Sequence, residues 1–187
     1  MNLINRKFFF DYVRKALFGN ALNKGQVEGM DALLDVWEES YAKEDDRWLA
    51  YVLATAFHET AFTMQPIEEY GKGKGHPYGV KDPTTGKAYY GRGFVQLTWK
   101  ANYKSLGTKL GVDLVKKPEL ALELDIATKI TFLGMMEGIF TGKKLDDFFS
   151  GTTEDWYHAR RIINGLDKAE AIGKYGKKFY AAISYTK

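Results

Sequence analysis

The chain has no cysteine and no long apolar run. Without cysteine there can be no disulfide, no thiol nucleophile and no zinc–thiolate site. Because no segment is long enough to cross a bilayer, stable membrane insertion is not expected. The N-terminal run of three phenylalanines is soon followed by Asp11 and Arg14, so we predict no signal peptide.

The chain also lacks a large excess of positive or negative charge. The formal net charge is +3 at pH 7, which is too small to predict nucleic-acid binding. The C-terminal segment 168–187 is the exception, with five lysines and one acid. We interpret these lysines as a solvated helix face, and a weak attraction to a polyanionic surface is the alternative.

What is present is the composition of a globular protein, with 45% hydrophobic and 27% charged residues. A chain of 187 residues is long enough to bury a core, so we expect one domain over residues 1–187. Aromatic residues make up 15% of the chain. They suit a packed core and also a groove with flat stacking faces.

Helical patterns dominate the first third of the chain. Asn5 is a suitable cap for a first helix that ends at Gly19. A second helix is predicted over Lys24 to Ser40 because apolar residues recur there at helical spacing.

A third helix, capped by Asp45 or Asp46, is predicted over the segment RWLAYVLATAFHETA. It is apolar nearly all round, which indicates a central buried helix. The Gly-, Pro- and Lys-rich stretch 71–93 predicts a long loop. The segment YYGRGFVQLTW near its end has the character of a short strand or turn–strand unit.

Four more helices are predicted, at about 100–110, 124–140, 153–163 and 167–183. Asp125 and Thr153 are candidate caps for two of them, and Gly165 is a candidate helix stop. These patterns predict an α+β fold that is mostly α-helical, with one long loop and little β structure.

The third helix ends on an ionisable residue, Glu59, near the face of Val52 and Ala56. A buried carboxylate is unfavourable unless it is paired or protonated. One interpretation is a structural glutamate bonded to an arginine such as Arg92 or to the backbone. The other is a carboxylic acid whose pKa is raised by desolvation and which donates a proton near neutral pH.

Two further acids, Glu68 and Glu69, lie just past Pro66, where the helix is predicted to have ended. A turn there can bring one of them across a groove from Glu59. One acid kept neutral and one kept ionised is the usual arrangement for breaking a glycosidic bond.

The segment YYGRGFVQLTW contains Arg92 between two glycines, so its backbone can turn sharply or approach a ligand closely. Amide, hydroxyl and aromatic side chains that suit a sugar-binding groove lie in and after it. They are Tyr90, Gln96, Thr98, Trp99, Asn102 and Tyr103. An ordinary amphipathic strand is the alternative, and for Trp99 we favour a place in the core.

A metal site is not predicted, because HETAF lacks the second histidine that a HExxH metalloprotease motif requires. We expect His58 to orient Arg92 or the backbone beside the groove. No cofactor is predicted.

Three segments together resemble family 19 of the glycoside hydrolases, most of all its phage endolysin and bacterial lysozyme-like branch. They are AFHETAFTMQP, YYGRGFVQLTWKANY and RRIINGLDKA. The resemblance implies a lysozyme-like fold with a small β/turn segment and a catalytic groove. It also implies inversion of configuration at the anomeric carbon, with no metal or cofactor.

The resemblance implies a role for individual residues. Glu59 falls on the general acid, and Glu69, with Glu68 as the alternative, falls on the general base. Thr98 falls on the residue that helps to hold the attacking water. Gln96, Tyr103 and Asn164 fall on substrate-binding positions. Leu166 replaces the second glycine of the family's INGG-like segment, so we expect a different local backbone there.

The resulting prediction is a monomeric peptidoglycan hydrolase that cuts β-1,4 glycosidic bonds. As an endolysin it would be made in the host cytoplasm and released to the periplasm and cell wall through a holin-type pore. A chitinase with the same mechanism is the first alternative, and a non-catalytic glycan-binding module is the second. A nucleic-acid-binding protein is a distant third.

Overall fold

The computed structural model describes residues 3–186 and is mostly helical, as predicted. The helices are α1 Arg6–Ala16, α2 Lys24–Ser40, α3 Asp46–Glu59, α4 Lys100–Leu110, α5 Leu124–Glu137 and α6 Ala169–Ala182. The strands are β1 Ile67–Glu68, β2 Arg92–Gly93, β3 Phe149–Ser150 and β4 Thr153–Glu154. In this part of the chain, no helix combines the length and apolar character needed to cross a membrane.

The first three helices begin where their sequence signals place them. The Asn5 side chain accepts a hydrogen bond from the backbone N–H of Phe8 at 3.0 Å. Asn23 and Gln26 form a capping box at the start of α2. Asp45 caps α3 by accepting from the backbone N–H of Arg47. These side chains satisfy amide groups that a helix leaves without partners at its start.

Helix α3 is the centre of the fold, as its apolar sequence predicts. Every residue from 49 to 57 is buried, and the helix packs most extensively on α6. Gly176 on α6 leaves room for the neighbouring Trp156 ring, since a Cβ at this position would lie 2.7 Å from that ring. Burial on all sides fixes the orientation of α3 and so the position of Glu59 at its last turn.

The predicted helix over 153–163 is wrong. Thr153 lies in β4 and is not a helix cap, and only the short 3₁₀ helix His158–Ile162 follows. The Trp156 ring packs on the Phe149 ring with centroids 4.8 Å apart. The Trp156 ring also packs on the Tyr51 ring of α3, with centroids 6.3 Å apart, and these contacts override the weak helical pattern of the segment.

The cap predicted at Asp125 is also wrong. Glu123 occupies the N-cap position of α5, and Asp125 lies in the first turn. A negative side chain in the first turn still interacts favourably with the positive end of the helix dipole. The helix ends at Glu137 because Gly138 adopts a left-handed conformation with φ of 69°.

Strands β1 and β2 bring the acids after α3 beside the glycine-flanked arginine. The register pairs Ile67 with Gly93 and Glu68 with Arg92. A bridge between Arg92 and Leu97 then closes a tight turn. The predicted turn–strand unit is therefore confirmed, and it carries one wall of the candidate site.

The turn directly after Glu59 holds three non-glycine residues in left-handed conformations. The φ angles of Ala61, Phe62 and Met64 are 49°, 69° and 52°. Contacts hold this turn in place, since the Phe62 ring packs on Phe57 with centroids 4.6 Å apart. Each such conformation costs roughly 1–2 kcal/mol for a residue with a Cβ.

We therefore expect Ala61→Gly to raise the free energy of unfolding by about 0.5–1 kcal/mol. Ala61 is exposed, so the change removes backbone strain without removing packing. The measurement is urea denaturation of both proteins. Ala32→Gly, in the middle of α2, is the control and should lower stability by about 1 kcal/mol. If both substitutions destabilise equally, the turn is not strained at Ala61.

Candidate active site

A cleft of about 330 Å³ opens at the end of α3. Polar and aromatic side chains line it, and they come from five separate parts of the chain. The lining residues are Glu59, Tyr78, Val95, Gln96, Thr98, Trp99, Asn102, Phe140, Ile163 and Asn164. The end of the buried helix therefore faces the turn–strand unit and the start of α4 across one open space.

Glu59 reaches this cleft while most of its side chain stays covered, with 16% exposed. Its Oε1 accepts a hydrogen bond from Nη1 of Arg160 at 2.5 Å. Arg160 is itself buried and donates through Nε to the backbone oxygen of Asp167. The arginine bonded to Glu59 is thus Arg160 and not Arg92, the example named in the sequence analysis.

Glu69 is hydrogen-bonded to Tyr78, a residue of the cleft lining. Its Oε2 accepts from the backbone N–H of Gly91 at 3.1 Å, and its Oε1 accepts from the Tyr78 hydroxyl at 3.2 Å. Tyr78 lines the cleft. Two donors therefore fix the Glu69 carboxylate beside the wall that faces Glu59.

Glu68 points to a different set of partners, because successive side chains on a strand face opposite sides. Its Oε1 accepts from the Tyr90 hydroxyl at 2.7 Å, and its Oε2 lies 3.0 Å from Nζ of Lys72. The hydrogen bond from Tyr90 and the contact with Lys72 lower the pKa of Glu68 below its ordinary value. This carboxylate is therefore held ionised.

Three residues predicted to bind substrate are buried beneath Glu68 instead. The Arg92 guanidinium lies 3.6 Å from the centre of the Tyr90 ring. Arg92 also donates to the Tyr103 hydroxyl, which in turn donates to the Tyr90 carbonyl oxygen. Tyr90, Arg92 and Tyr103 are all buried, and none of them is among the residues that line the cleft. They form a support that positions Glu68.

The other predicted polar residues do line the cleft. Thr98 Oγ1 donates to the Gln96 carbonyl oxygen at 2.7 Å, and Asn102 Nδ2 donates to the Thr98 carbonyl oxygen. Gln96 donates through Nε2 to the carbonyl oxygens of Ile67 and Gly93. Asn164 is exposed on the opposite wall. Hydroxyl and amide groups thus face the same space as the Glu59 carboxyl.

Trp99 is not in the core, contrary to the sequence-based expectation. Half of it, 50%, is exposed, and its ring meets the Tyr78 ring edge-to-face with centroids 5.2 Å apart. His76 stacks on the other side of Tyr78. An aromatic wall of this kind offers apolar surface to the face of a sugar ring. Tyr78 and Phe140, which lie in a predicted loop and a predicted helix, were not identified from the sequence, and Arg160 was assigned no role within the RRIINGLDKA segment.

His58 lies beside Glu59 on the last turn of α3 and is half-buried. Burial lowers the pKa of its imidazole below the ordinary value. Residues 3–186 contain no cluster of three or more His, Cys, Asp or Glu side chains that could hold a metal ion.

The lowered pKa of His58 gives stability a pH dependence of known sign. The folded protein favours the neutral ring, so this contribution is present above the unfolded pKa of about 6.5 and falls as the pH drops below it. We expect wild type to lose more stability than His58→Gln between about pH 7.5 and 5.5. Urea denaturation at both pH values tests this. His76→Gln, in the exposed loop, is the matched control, and equal pH slopes for wild type and His58→Gln would contradict the assignment.

Comparison with known proteins finds a similarity to one family. Residues 65–137 match the family model for chitinase class I of glycoside hydrolase family 19. This segment of the chain is therefore similar to glycoside hydrolase family 19. The family 19 match includes Glu68, Glu69 and the turn–strand unit, and it begins just after α3.

Individual curated proteins align with limited parts of the chain. An endochitinase of Arabidopsis thaliana is 36% identical over 87 residues, which are 46% of this chain and 29% of that protein. Inactive chitinase-like protein 1 of Hevea brasiliensis is 54% identical over 35 residues, which are 19% of this chain and 11% of that protein. The chain thus spans less than a third of the length of these curated relatives.

A solved family 19 structure extends the likeness to nearly the whole chain. A bacterial family 19 chitinase superposes with a TM-score of 0.60 at 20% sequence identity. The superposition covers 95% of this chain and 93% of that protein. At this level of identity the match establishes the fold, and the predicted fold class is confirmed.

Proposed function

We propose that the protein hydrolyses β-1,4 glycosidic bonds of peptidoglycan by an inverting acid–base mechanism. The observation that carries the proposal is the convergence of Glu59, Gln96 and Thr98 on one cleft, with Glu69 bonded to its wall through Tyr78. A glycan strand in this cleft would pass between the end of α3 and the turn–strand unit. The exposed Trp99 ring would support a sugar face.

In the proposed reaction Glu59 is the general acid. Arg160 engages Oε1 of Glu59, which leaves Oε2 to carry the proton towards the glycosidic oxygen. As the bond between that oxygen and the anomeric carbon breaks, the leaving sugar takes this proton and becomes a free alcohol.

Glu69 is the proposed general base. It takes a proton from a water that attacks the anomeric carbon from the face opposite the leaving group, so the configuration inverts. Thr98 and Gln96 line the cleft close to this wall and would orient the water. Solvent then returns the proton from Glu69 to Glu59, which restores both groups.

Peptidoglycan is the proposed substrate because the motif segments resemble the phage endolysin branch most closely. We further propose a role as an endolysin that is made in the host cytoplasm and acts on the cell wall. Chitin is the second candidate, because the curated relatives that align with this chain carry chitinase names. A non-catalytic glycan-binding module is the third candidate, because one relative that aligns with this chain carries the name inactive chitinase-like protein 1.

The test is product analysis on purified sacculi and on chitin oligomers, with wild type and Glu59→Gln side by side. We expect wild type to release new reducing ends from sacculi and the variant to release none. Cleavage of chitin alone would reject the endolysin proposal and support a chitinase. Equal binding of both proteins to the polymer without any release by wild type would support a non-catalytic module.

A further inference from the structure

Helix α3 carries buried polar side chains beneath Glu59. Tyr51, Thr55 and Glu59 are four residues apart, so they lie on one face of the helix. Tyr51 is 0% exposed and Thr55 is 1% exposed. Among residues 3–186, neither hydroxyl oxygen has a hydrogen-bond partner. Buried hydroxyl groups are almost always bonded, so this pair requires an explanation.

Thr55 differs from the other buried threonines at helices. Thr60, Thr128 and Thr131 each donate to the carbonyl oxygen four residues earlier, at 2.7–2.8 Å. This local bond is the usual way in which a buried threonine is satisfied in a helix. Thr55 does not make it, so its hydroxyl is free to bond to a group outside the helix backbone.

The Tyr51 hydroxyl lies in the electrostatic field of the candidate site. Its ring packs against the rings of Phe149 and Trp156, with centroid distances of 5.5 and 6.3 Å. The charges that act on the hydroxyl belong to Arg160, Asp155 and Glu59. Burial raises the pKa of Tyr51, so the phenol keeps its proton and remains a hydrogen-bond donor at every working pH.

We propose that Tyr51 and Thr55 hold one or two ordered waters beneath the Arg160–Glu59 pair and thereby position Glu59. The inference rests on the proposed role of Glu59 as the general acid. A buried water needs two to four polar partners. The two hydroxyls supply both a donor and an acceptor, and the arginine–glutamate pair lies on the same side of α3. Waters held there would restrain the Arg160 side chain and so keep the Glu59 carboxyl group oriented towards the cleft.

The test compares Tyr51→Phe, Thr55→Val and the double variant with wild type. If the hydroxyls share a hydration site, each change should lower kcat about tenfold to a hundredfold with little change in KM, because Glu59 is displaced slightly. The double variant should then lose no more than the worse single variant. A high-resolution crystal structure should show water within hydrogen-bond distance of both oxygens.

Thermal stability provides a readout that is independent of activity. Removal of a hydroxyl that is bonded to a held water should lower Tm by about 2–4 °C, whereas removal of a truly unpartnered hydroxyl should raise it. Thr131→Val on α5 is the control, since it removes a buried hydroxyl bonded within its own helix and should leave kcat unchanged.

A higher Tm with unchanged kcat for Tyr51→Phe would overturn the inference, as would a crystal structure with neither oxygen in contact with water. If wild type hydrolyses no glycan, the proposed function fails. The crystal structure and the Tm change would still decide the hydration site.

Discussion

Replacement of Glu59 by glutamine is expected to lower kcat for glycan hydrolysis about 10²–10⁴-fold. An amide has the size of the carboxyl group and can accept the Arg160 hydrogen bond, but it cannot protonate the leaving oxygen. KM should change little, because Trp99, Gln96 and Asn102 still line the cleft. Reducing-end release over a range of substrate concentrations measures both constants.

The control for this change is Glu170→Gln. Glu170 forms a solvent-exposed pair with Lys174 on α6, and 75% of its side chain is exposed. Such surface pairs contribute little to stability, so activity and Tm should match wild type. Near-normal kcat for Glu59→Gln, in a protein whose Tm is unchanged, would exclude Glu59 as the proton donor.

The helices and the position of Glu59 were predictable because their signals are local. Asn5, Asn23 and Asp45 cap the helices they precede, and the apolar sequence of α3 leads directly to its burial. Because α3 is buried over residues 49–57, Glu59 becomes accessible to solvent only at the end of the helix. Residues that act within one helical turn of one another leave a readable pattern.

The partner of Glu59 was not predictable in the same way. Arg160 lies 101 residues along the chain from Glu59, in a 3₁₀ helix whose position depends on Trp156 packing against Phe149. No local sequence pattern predicts the contact between Trp156 and Phe149. Tertiary packing alone determines which carboxylate a buried arginine pairs with.

The turn–strand segment shows a different limit of sequence reasoning. Its aromatic and polar residues suit either a groove or a core, and the alternation of a strand decides between them only when the register is known. In the register that pairs Glu68 with Arg92, Tyr90 and Arg92 are buried. Trp99 has a left-handed backbone with φ of 73° at the start of α4, which turns its ring towards the cleft instead of the core.

Glu68 and Glu69 can be separated by replacing each with glutamine, because the structure predicts losses of different kinds. Glu69→Gln should lower kcat about 10²–10⁴-fold with little change in stability, since an amide can still accept from Tyr78 and Gly91. Glu68→Gln should lower the free energy of unfolding by about 1–3 kcal/mol, because the buried Arg92 and the Tyr90 hydroxyl lose a charged partner. Its kcat should fall less than about tenfold, as Glu68 acts only through its support of the neighbouring strand.

The pH dependence of stability gives an independent check on Glu68. The Tyr90 hydrogen bond and Lys72 lower its pKa, so the carboxylate stabilises the fold above the ordinary pKa of about 4.3. That contribution is lost as the pH falls through the lowered value. The difference in the free energy of unfolding between wild type and Glu68→Gln should therefore be largest at about pH 6 and should decrease towards about pH 3. If Glu68→Gln instead abolishes hydrolysis while Glu69→Gln stays active, the base is Glu68, and the attacking water lies on the Tyr90 side of β1.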